Sequence, residues 1–433
     1  MPESIWNNNF KTPEHKELCG DIKTDVLIIG GGICGLLCAY FLNKNGVDCV
    51  VAEGSRLCSG ITKNTTAKIT SLHGLIYDKL IKTSGKDIAQ MYLDANNNAL
   101  ARYRELSKVI DCDFEEKSAY TYSISDRQKI EDEVDAVLSL GETAEFKEDI
   151  SLPFETEGAI CFPNQAQFNP LKFANGISKG LKIFENTFIR DISKHTALSD
   201  KGKITADKII VATHFPFINK HGLYFLKLYQ HRSYVIALKG AADVDGMYVD
   251  EAEDGLSFRN FGDLLLIGGG SHRTGKKGGN WTELRRFANQ FYPLSEEEYH
   301  WSTQDCMSLD KIPYIGRYSG STPDLFVASG FNKWGMTSSM AAAEILCDLV
   351  LGKENDFSRV FNPSRSILKP QLAVNGVETI FNFLSPTVKR CPHLGCALKY
   401  NKREHSWDCP CHGSRFDERG KLIDNPATGD AKV

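Results

Sequence analysis

The stretch DVLIIGGGICGLLCAYFLNKNGVDCVVAE, residues 25–53, constrains the fold of the chain more than any other. Four apolar residues follow Asp25, as in a strand buried on both faces, and the run stops at Gly30. Apolar residues then recur at helical spacing from Ile33 to Asn45, with Gly46 as the stop. Cys49 to Ala52 form a second short strand that ends at Glu53. The result is a strand, helix, strand unit.

Gly30, Gly32 and Gly35 within it make the pattern G-x-G-x-x-G. The first glycine allows a tight turn, the second lets a pyrophosphate approach the backbone, and the third lets helix and strand pack closely. The helix N-terminus adds free N–H groups and partial positive charge. Glu53, 23 residues after Gly30, is placed to accept hydrogen bonds from a ribose. These features predict a dinucleotide site rather than a glycine-rich turn without a ligand. Three stretches beyond Glu53 favour FAD over NAD. The segment CSGITKNTTAKITSLHG (58–74) comes where a simple dehydrogenase would continue into its next strands. Later, ADKIIVAT (206–213) reads as a buried strand, and DLFVASGFNKWGMTSSMAAAEILCDLV as strand, loop and long helix from about Met336. That second helix N-terminus suits the polar edge of a flavin ring.

A chain of 433 residues is long enough for two or three domains. Lys+Arg 51 against Asp+Glu 55 leaves a net charge of −4, which gives no footprint for nucleic acid. The leading stretch MPESIWNNNFKTPEHKELCGD lacks a basic segment followed by an apolar one, and no run suits a membrane span. A cytoplasmic location is the expectation. Nine of the thirteen cysteines are scattered and read as small core residues, since the cytosol keeps most thiols reduced.

The other four are crowded into CPHLGCALKYNKREHSWDCPCHG (391–413). Cys391-x-His393, fifteen residues, then Cys409-x-x-His412 gives two thiolates and two imidazoles at paired spacing. Two metal readings fit: a tetrahedral Cys2His2 zinc site, or a [2Fe–2S] centre with two Cys on one iron and two His on the other.

Two resemblances bear on these readings. The fingerprint, IIVAT, DKIPYIGR (310–317) and ASGFNKWGMTSSMAAAEIL resemble the D-amino-acid-oxidase-like FAD-dependent oxidoreductases, the group that includes glycine, sarcosine and γ-glutamylputrescine oxidases, over roughly residues 1–355. CPHLGC and CPCHGS resemble the two Rieske boxes. The implied fold is mixed α/β and α+β: a Rossmann-like FAD-binding domain from segments 1–75, 156–215 and 306–355, a mixed-sheet substrate domain from 76–155 and 216–305, a linker over 356–385, and a shortened Rieske-like β module over 386–433. Gly30, Gly32, Gly35 and Glu53 would hold the ADP half of FAD. Ser59, Gly60, Thr65 and Thr66 would pass the pyrophosphate and flavin, and Trp334, Gly335 and Met336 would lie under the ring. Cys391, His393, Cys409 and His412 would hold the cluster, with Cys396 and Cys411 able to bridge the two loops. The resemblance also places Ser414 on a cluster sulfur, and Phe416 where respiratory Rieske proteins have a tyrosine. The lead-in from Leu368 to Arg390 is short for such a domain, so the module is expected to pack on the flavoprotein and borrow burial from it.

The implied activity is oxidation of a C–N bond of an amine or amino acid. Electrons would pass from flavin to cluster and on to an acceptor such as a carrier protein. A reductase fed by such a carrier, or an amine oxidase with a structural zinc module, are the alternatives. No catalytic acid or base stands out. Gln167, Phe168, His231, Tyr234, Tyr248 and Lys333 are candidates for substrate contact, and His73 for a place near the flavin.

Overall fold

The computed structural model describes residues 3–7 and 13–433. Residues 1, 2 and 8–12, part of the leading stretch read for a signal segment, lie outside the described residues. Among the described residues no helix is long and apolar enough to cross a membrane.

The strand Ile22–Ile29 sits near the middle of the first sheet. It pairs in parallel with Gly202–Val211 on one side and Cys49–Ala52 on the other, and the register aligns Ile29 with Val211 and Ala52. Lys182–Phe184 extends the sheet beyond Cys49–Ala52, while Leu325–Ser329 and then Tyr314–Arg317 extend it beyond Gly202–Val211. The chain therefore reverses direction of travel at the central strand. Gly30, Glu53 and Ala212 all emerge at the carboxyl ends, where open α/β sheets bind ligands. The helices Ile33–Lys44 and Gly335–Val350 pack together on one face. Both are buried over most of their length, the second through Met340, Ala341, Ala342 and Ala343.

A nine-stranded second sheet stands over this crevice, in the order Glu296–Ser308, Leu228–Lys239, Leu264–Arg273, Ser257–Phe261, Met247–Asp250, Glu115–Ser123, Gly158–Gln167, Lys68–Ile69, with Glu145–Lys147 on Gly158–Gln167. Residues 158–167 and the strand to Ser308 thus pair into this second sheet, whereas the sequence groups 156–215 and 306–355 with the first. Their alternating pattern is that of strands half buried on one face, which by itself does not tell which sheet they join. The region 75–150 carries the expected helices, Tyr77–Ser84, Lys86–Ser107 and Arg127–Ser139.

The terminal module is a four-stranded antiparallel sheet of Lys399–Asn401, Ser406–Asp408, Arg415–Asp417 and Leu422–Asp424. Its own buried apolar cluster holds eight residues, four of them cysteines. So small a core cannot stabilise a module alone. The stretch 356–385, expected as linker, contains the helices Ser358–Phe361 and Pro370–Leu384. Of the scattered cysteines all but Cys19 are buried.

Candidate functional site

One cavity of about 2010 Å³ opens between the two sheets. Gly30, Gly32, Glu53, Ser59, Gly60, Thr65, Thr66, Trp334, Gly335 and Met336 all line it. Gly35 does not, and its reason is steric: a Cβ there would stand 1.9 Å from the Gly30 carbonyl oxygen. Gly30 itself has φ +109, and a Cβ would meet the Ala212 oxygen at 2.6 Å. Only glycine serves at either position. Gly32 is freer, with Thr62 Oγ1 at 3.3 Å from a built Cβ.

Glu53 points into the glycine turn. Its carboxylate accepts from Gly31 N–H at 2.7 Å and Ser55 N–H at 2.8 Å, and burial raises its pKa against these bonds. A carboxylate has about four acceptor positions, so it retains capacity for a ribose. Thr62, not singled out from the sequence, receives the first helical amide, Ile33 N–H, at 3.1 Å.

The threonine-rich segment is held from outside. Trp6 Nε1 donates to Thr65 O at 2.8 Å and Trp301 Nε1 to Asn64 O at 2.9 Å. Arg259 Nη1 donates to Thr66 O at 2.7 Å and Ala67 O at 2.9 Å. Arg259 is fully buried, and desolvation pushes it down to about 9. No local signal marked these three anchors, because each comes from a distant part of the chain.

On the opposite wall, Asn332 and Lys333 have φ 51 and 74, two successive non-glycine residues in the left-handed region. Such strain persists only where neighbours over-determine it. Here the Asn332 side chain accepts from Ser308 N–H at 2.8 Å and donates to Ser308 Oγ at 3.0 Å. The turn delivers Lys333 into the cavity and starts the helix Gly335–Val350, whose N-cap Trp334 makes no side-chain cap. The first amides of that helix are thus left for a ligand. Lys333 Nζ donates to Ser271 Oγ at 2.8 Å and Glu253 O at 3.2 Å; its surface is open to the cavity although protein surrounds it, and burial lowers its pKa.

His73 also lines the cavity, stacked on Trp334 at 4.8 Å. Its Nδ1 is bonded to Tyr92 OH at 2.7 Å, its Nε2 faces Thr70 O at 2.8 Å and Thr337 Oγ1 at 2.9 Å, and burial pushes it down to about 3. A neutral, fully partnered ring shapes the wall and does not move protons. Tyr234 reaches the cavity, whereas Gln167, Phe168, His231 and Tyr248 do not line it. Phe168 packs on Tyr103 and Phe173, Gln167 is bonded to Glu115 and Asn260 O, Tyr248 OH to Val244 O, and His231 rests on Tyr229. Asp305, missed in the sequence, lines the cavity and burial raises it to about 6. Ser339 Oγ and His214 Nε2 are buried on cavity-lining residues without hydrogen-bond partners, polar atoms that await a bound group.

The terminal cysteines and histidines converge. Cys391 and Cys409 are hydrogen-bonded to each other, and the N–H groups of His412, Cys411 and Gly413 add to the pull of Cys391 that lowers the Cys409 thiol. The Ser414 hydroxyl bonds Cys391 and receives Ala427 N–H at 3.0 Å. Cys396 and Cys411 are joined as a disulfide, so of the close trio Cys396, Cys409 and Cys411 only Cys409 is free to ligate. The His393 and His412 rings stand 4.9 Å apart. His393 Nε2 is bonded to Asn219 Oδ1 at 2.9 Å, which leaves Nδ1 buried without a partner. Neither ring nitrogen of His412 has a partner at hydrogen-bond geometry. Burial holds His393 near pKa about 4 and His412 near about 3, the second helped by the first. Two soft sulfurs and two neutral imidazoles, each with a ring nitrogen unpartnered, are a donor set that fits a [2Fe–2S] centre with mixed ligands.

The module is seated on the second sheet by its main chain. Arg273 donates to Pro410 O and Cys411 O at 2.9 Å each, Gln230 Nε2 to His412 O at 2.8 Å, and Gln304 Nε2 to Gly413 O at 2.9 Å. It borrows burial as expected. Glu404, Arg415, Asp424 and Asn425 of this module wall the same cavity as the glycine turn.

Residues 25–349 match the family model DAO, FAD dependent oxidoreductase, and residues 381–433 match the Rieske [2Fe-2S] domain. The YhfW protein of Bacillus subtilis (strain 168), named for a Rieske 2Fe-2S iron–sulfur centre, is 35% identical over 98% of this chain and 96% of its own length. Glycine oxidase from Geobacillus kaustophilus shares the fold at TM-score 0.68 and 20% identity, over 80% of this chain and 99% of its own. L-proline dehydrogenase from P. horikoshii does so at 0.67 and 17%, over 81% and 98%. With a sterically required glycine turn at the carboxyl edge of its first sheet and two Cys-His pairs brought together at its end, the chain belongs to the FAD dependent oxidoreductase family and carries a C-terminal Rieske [2Fe–2S] domain.

Proposed function

We propose that the protein oxidises a C–N bond of an amine or amino acid and delivers the electron pair singly, through the Rieske domain, to an external acceptor. The observation that carries this reading is that a single cavity is walled by the glycine turn, by the helix N-terminus at Trp334 to Met336, and by the terminal module. When bound, FAD takes the hydride equivalent and the [2Fe–2S] centre carries one electron at a time.

The chain's own residues bind, orient and insulate. Gly30, Gly32, Gly35 and Glu53 hold the ADP half, and Ser59, Gly60, Thr65 and Thr66 line the way to the flavin. The first turn of helix Gly335–Val350 offers its positive end to the ring edge that gains charge. Cys391 and Cys409 would hold one iron of the cluster, and His393 and His412 the other. Lys333, presented by the strained turn, receives the substrate carboxylate, and Tyr234 and Trp334 exclude water beside it. Arg232 does not compete for that carboxylate, because Glu404 and Ser302 occupy it.

Lys333→Met is expected to raise KM for amino acids by about 10- to 100-fold, the loss of one charge-assisted contact. KM for amines without a carboxylate should stay within about twofold. Steady-state kinetics on matched pairs checks this. The whole reading is tested anaerobically: an amine or amino acid that bleaches the flavin should also produce the reduced-cluster EPR signal. Bleaching with no cluster signal, and stoichiometric peroxide in air, would instead identify an oxidase.

A further inference from the structure

The helix Pro370–Leu384 is amphipathic in the reverse sense. Its polar residues face the protein: Arg273 Nη1 donates to Asn375 Oδ1 at 2.8 Å, Lys276 pairs with Glu378 at 2.6 Å, and the buried Asn382 side chain donates to Glu378 O at 2.8 Å. Asn375 and Asn382 are 3% and 2% exposed. Its apolar residues face out: Val374, Val377, Ile380, Phe381, Phe383 and Leu384 are between 55% and 73% exposed. At ~100° per residue these six sweep an arc of about 180°, and Asn375, Glu378 and Asn382 share the opposite side. A surface helix ordinarily turns an apolar stripe inward and its polar side out.

We propose that this face lies on an anionic lipid bilayer. Three features favour that occupant. The arc is wider than the ~100° stripe by which a helix packs on one neighbour, and half a circumference is what a helix lying in a membrane interface buries. At 15 residues the helix is ~22 Å long, short of the ~30 Å hydrocarbon core, so it lies on a membrane and does not cross it. Its flanks are basic, with Lys369 before it and Lys389 and Arg390 after it, while Glu378 is the one acid from 369 to 390 and is neutralised by Lys276. Such a rim suits anionic headgroups.

The same face adjoins the first cluster loop. Arg390 donates to Phe383 O at 2.8 Å and Gly395 O at 2.9 Å, and Phe383 lies against Gly395. Next to it, Leu394 is partly exposed. A docked molecule therefore presents the loop of Cys391 and His393 to the membrane surface, whatever substrate the cavity takes.

The test is flotation of the full-length holoprotein with vesicles of phosphatidylcholine alone or with about one quarter phosphatidylglycerol. The protein should float with the anionic vesicles. The triple variant Ile380→Glu, Phe381→Glu, Leu384→Glu should lose about tenfold or more of that binding, with flavin and cluster absorbance and monomer mass unchanged. Failure of the unmodified protein to float, or equal flotation of the variant, would overturn the proposal. So would light scattering that finds a dimer made monomeric by the three substitutions, which would assign the face to a second copy.

Discussion

A Cys409→Ser protein is expected to retain FAD and to contain almost no iron. The Cys409 sulfur is fully buried, drawn toward its ionised form by Cys391 and by the N–H groups of His412, Cys411 and Gly413. Those donors are arranged for a thiolate. A serine hydroxyl ionises far less readily and is a harder ligand, so the cluster would lose one of its two cysteine ligands. Nothing in the glycine turn depends on this residue, and the flavin absorbance should be unchanged. Iron analysis, visible absorption and EPR check the outcome together. Iron content equal to that of the unmodified protein would show that the cluster is held elsewhere. Cys306→Ser, at a buried thiol paired with Ser329, serves as the control and should keep its full complement of iron.

The second large effect concerns the seam between module and body. Arg415 is 5% exposed and bonds Asp408 at 3.0 Å, Asp424 at 3.2 Å and Glu404 at 3.0 Å. Glu404 is in turn shared with Arg232, Tyr234 and Ser302 of the second sheet. Arg415→Leu leaves Asp408 and Asp424 without a guanidinium and Glu404 with Arg232 alone. The expected cost is about 3–5 kcal/mol to the module, read as a fall in the urea midpoint for loss of cluster absorbance, while flavin release moves less. Adding Glu404→Gln should recover part of the loss by removing one stranded charge. The pH dependence has its origin in the same network. Burial alone would raise Glu404, but Arg232 and Arg415 pull it down to about 2. A folded pKa below the ordinary 4.5 adds stability above that value, and this stability is lost as pH falls from there toward about 2. Cluster retention should therefore weaken over that acid range, and less so in Glu404→Gln.

Sequence carried the parts of the site whose residues are neighbours in the chain. The glycine turn of Gly30, Gly32 and Gly35 is legible because turn and helix packing fall within one local unit, and the convergence of Cys391, His393, Cys409 and His412 because each pair occupies one loop. The rest is hidden by sequence distance. Arg259 and Trp301 hold the threonine-rich segment from strands far along the chain, Arg232 meets Glu404 across the module seam, and Asn219 sets the ring of His393. Nothing near these residues marks them. The helix Pro370–Leu384 reads as a linker for a different reason. Its Asn and Glu residues are spaced to face the protein, so its pattern does not resemble a helix docked by an apolar stripe. Tyr248 and Phe168 show the opposite failure: aromatic residues in or beside strands look available to a ligand, and here both are core.

The carbonyls of Pro410, Cys411, His412 and Gly413 accept from Arg273, Gln230 and Gln304, side chains carried by strands of the second sheet. His393 likewise gains its orientation from Asn219, outside its own module. The second cluster loop is therefore braced from two sides, by its own bonds from Cys409 N–H to Ser414 O and from Gly413 N–H to Cys409 O, and by the flavoprotein body. A module cut from that body would keep its own bonds and lose the donors on four successive carbonyls, so the cluster site is a shared property of both parts of the chain.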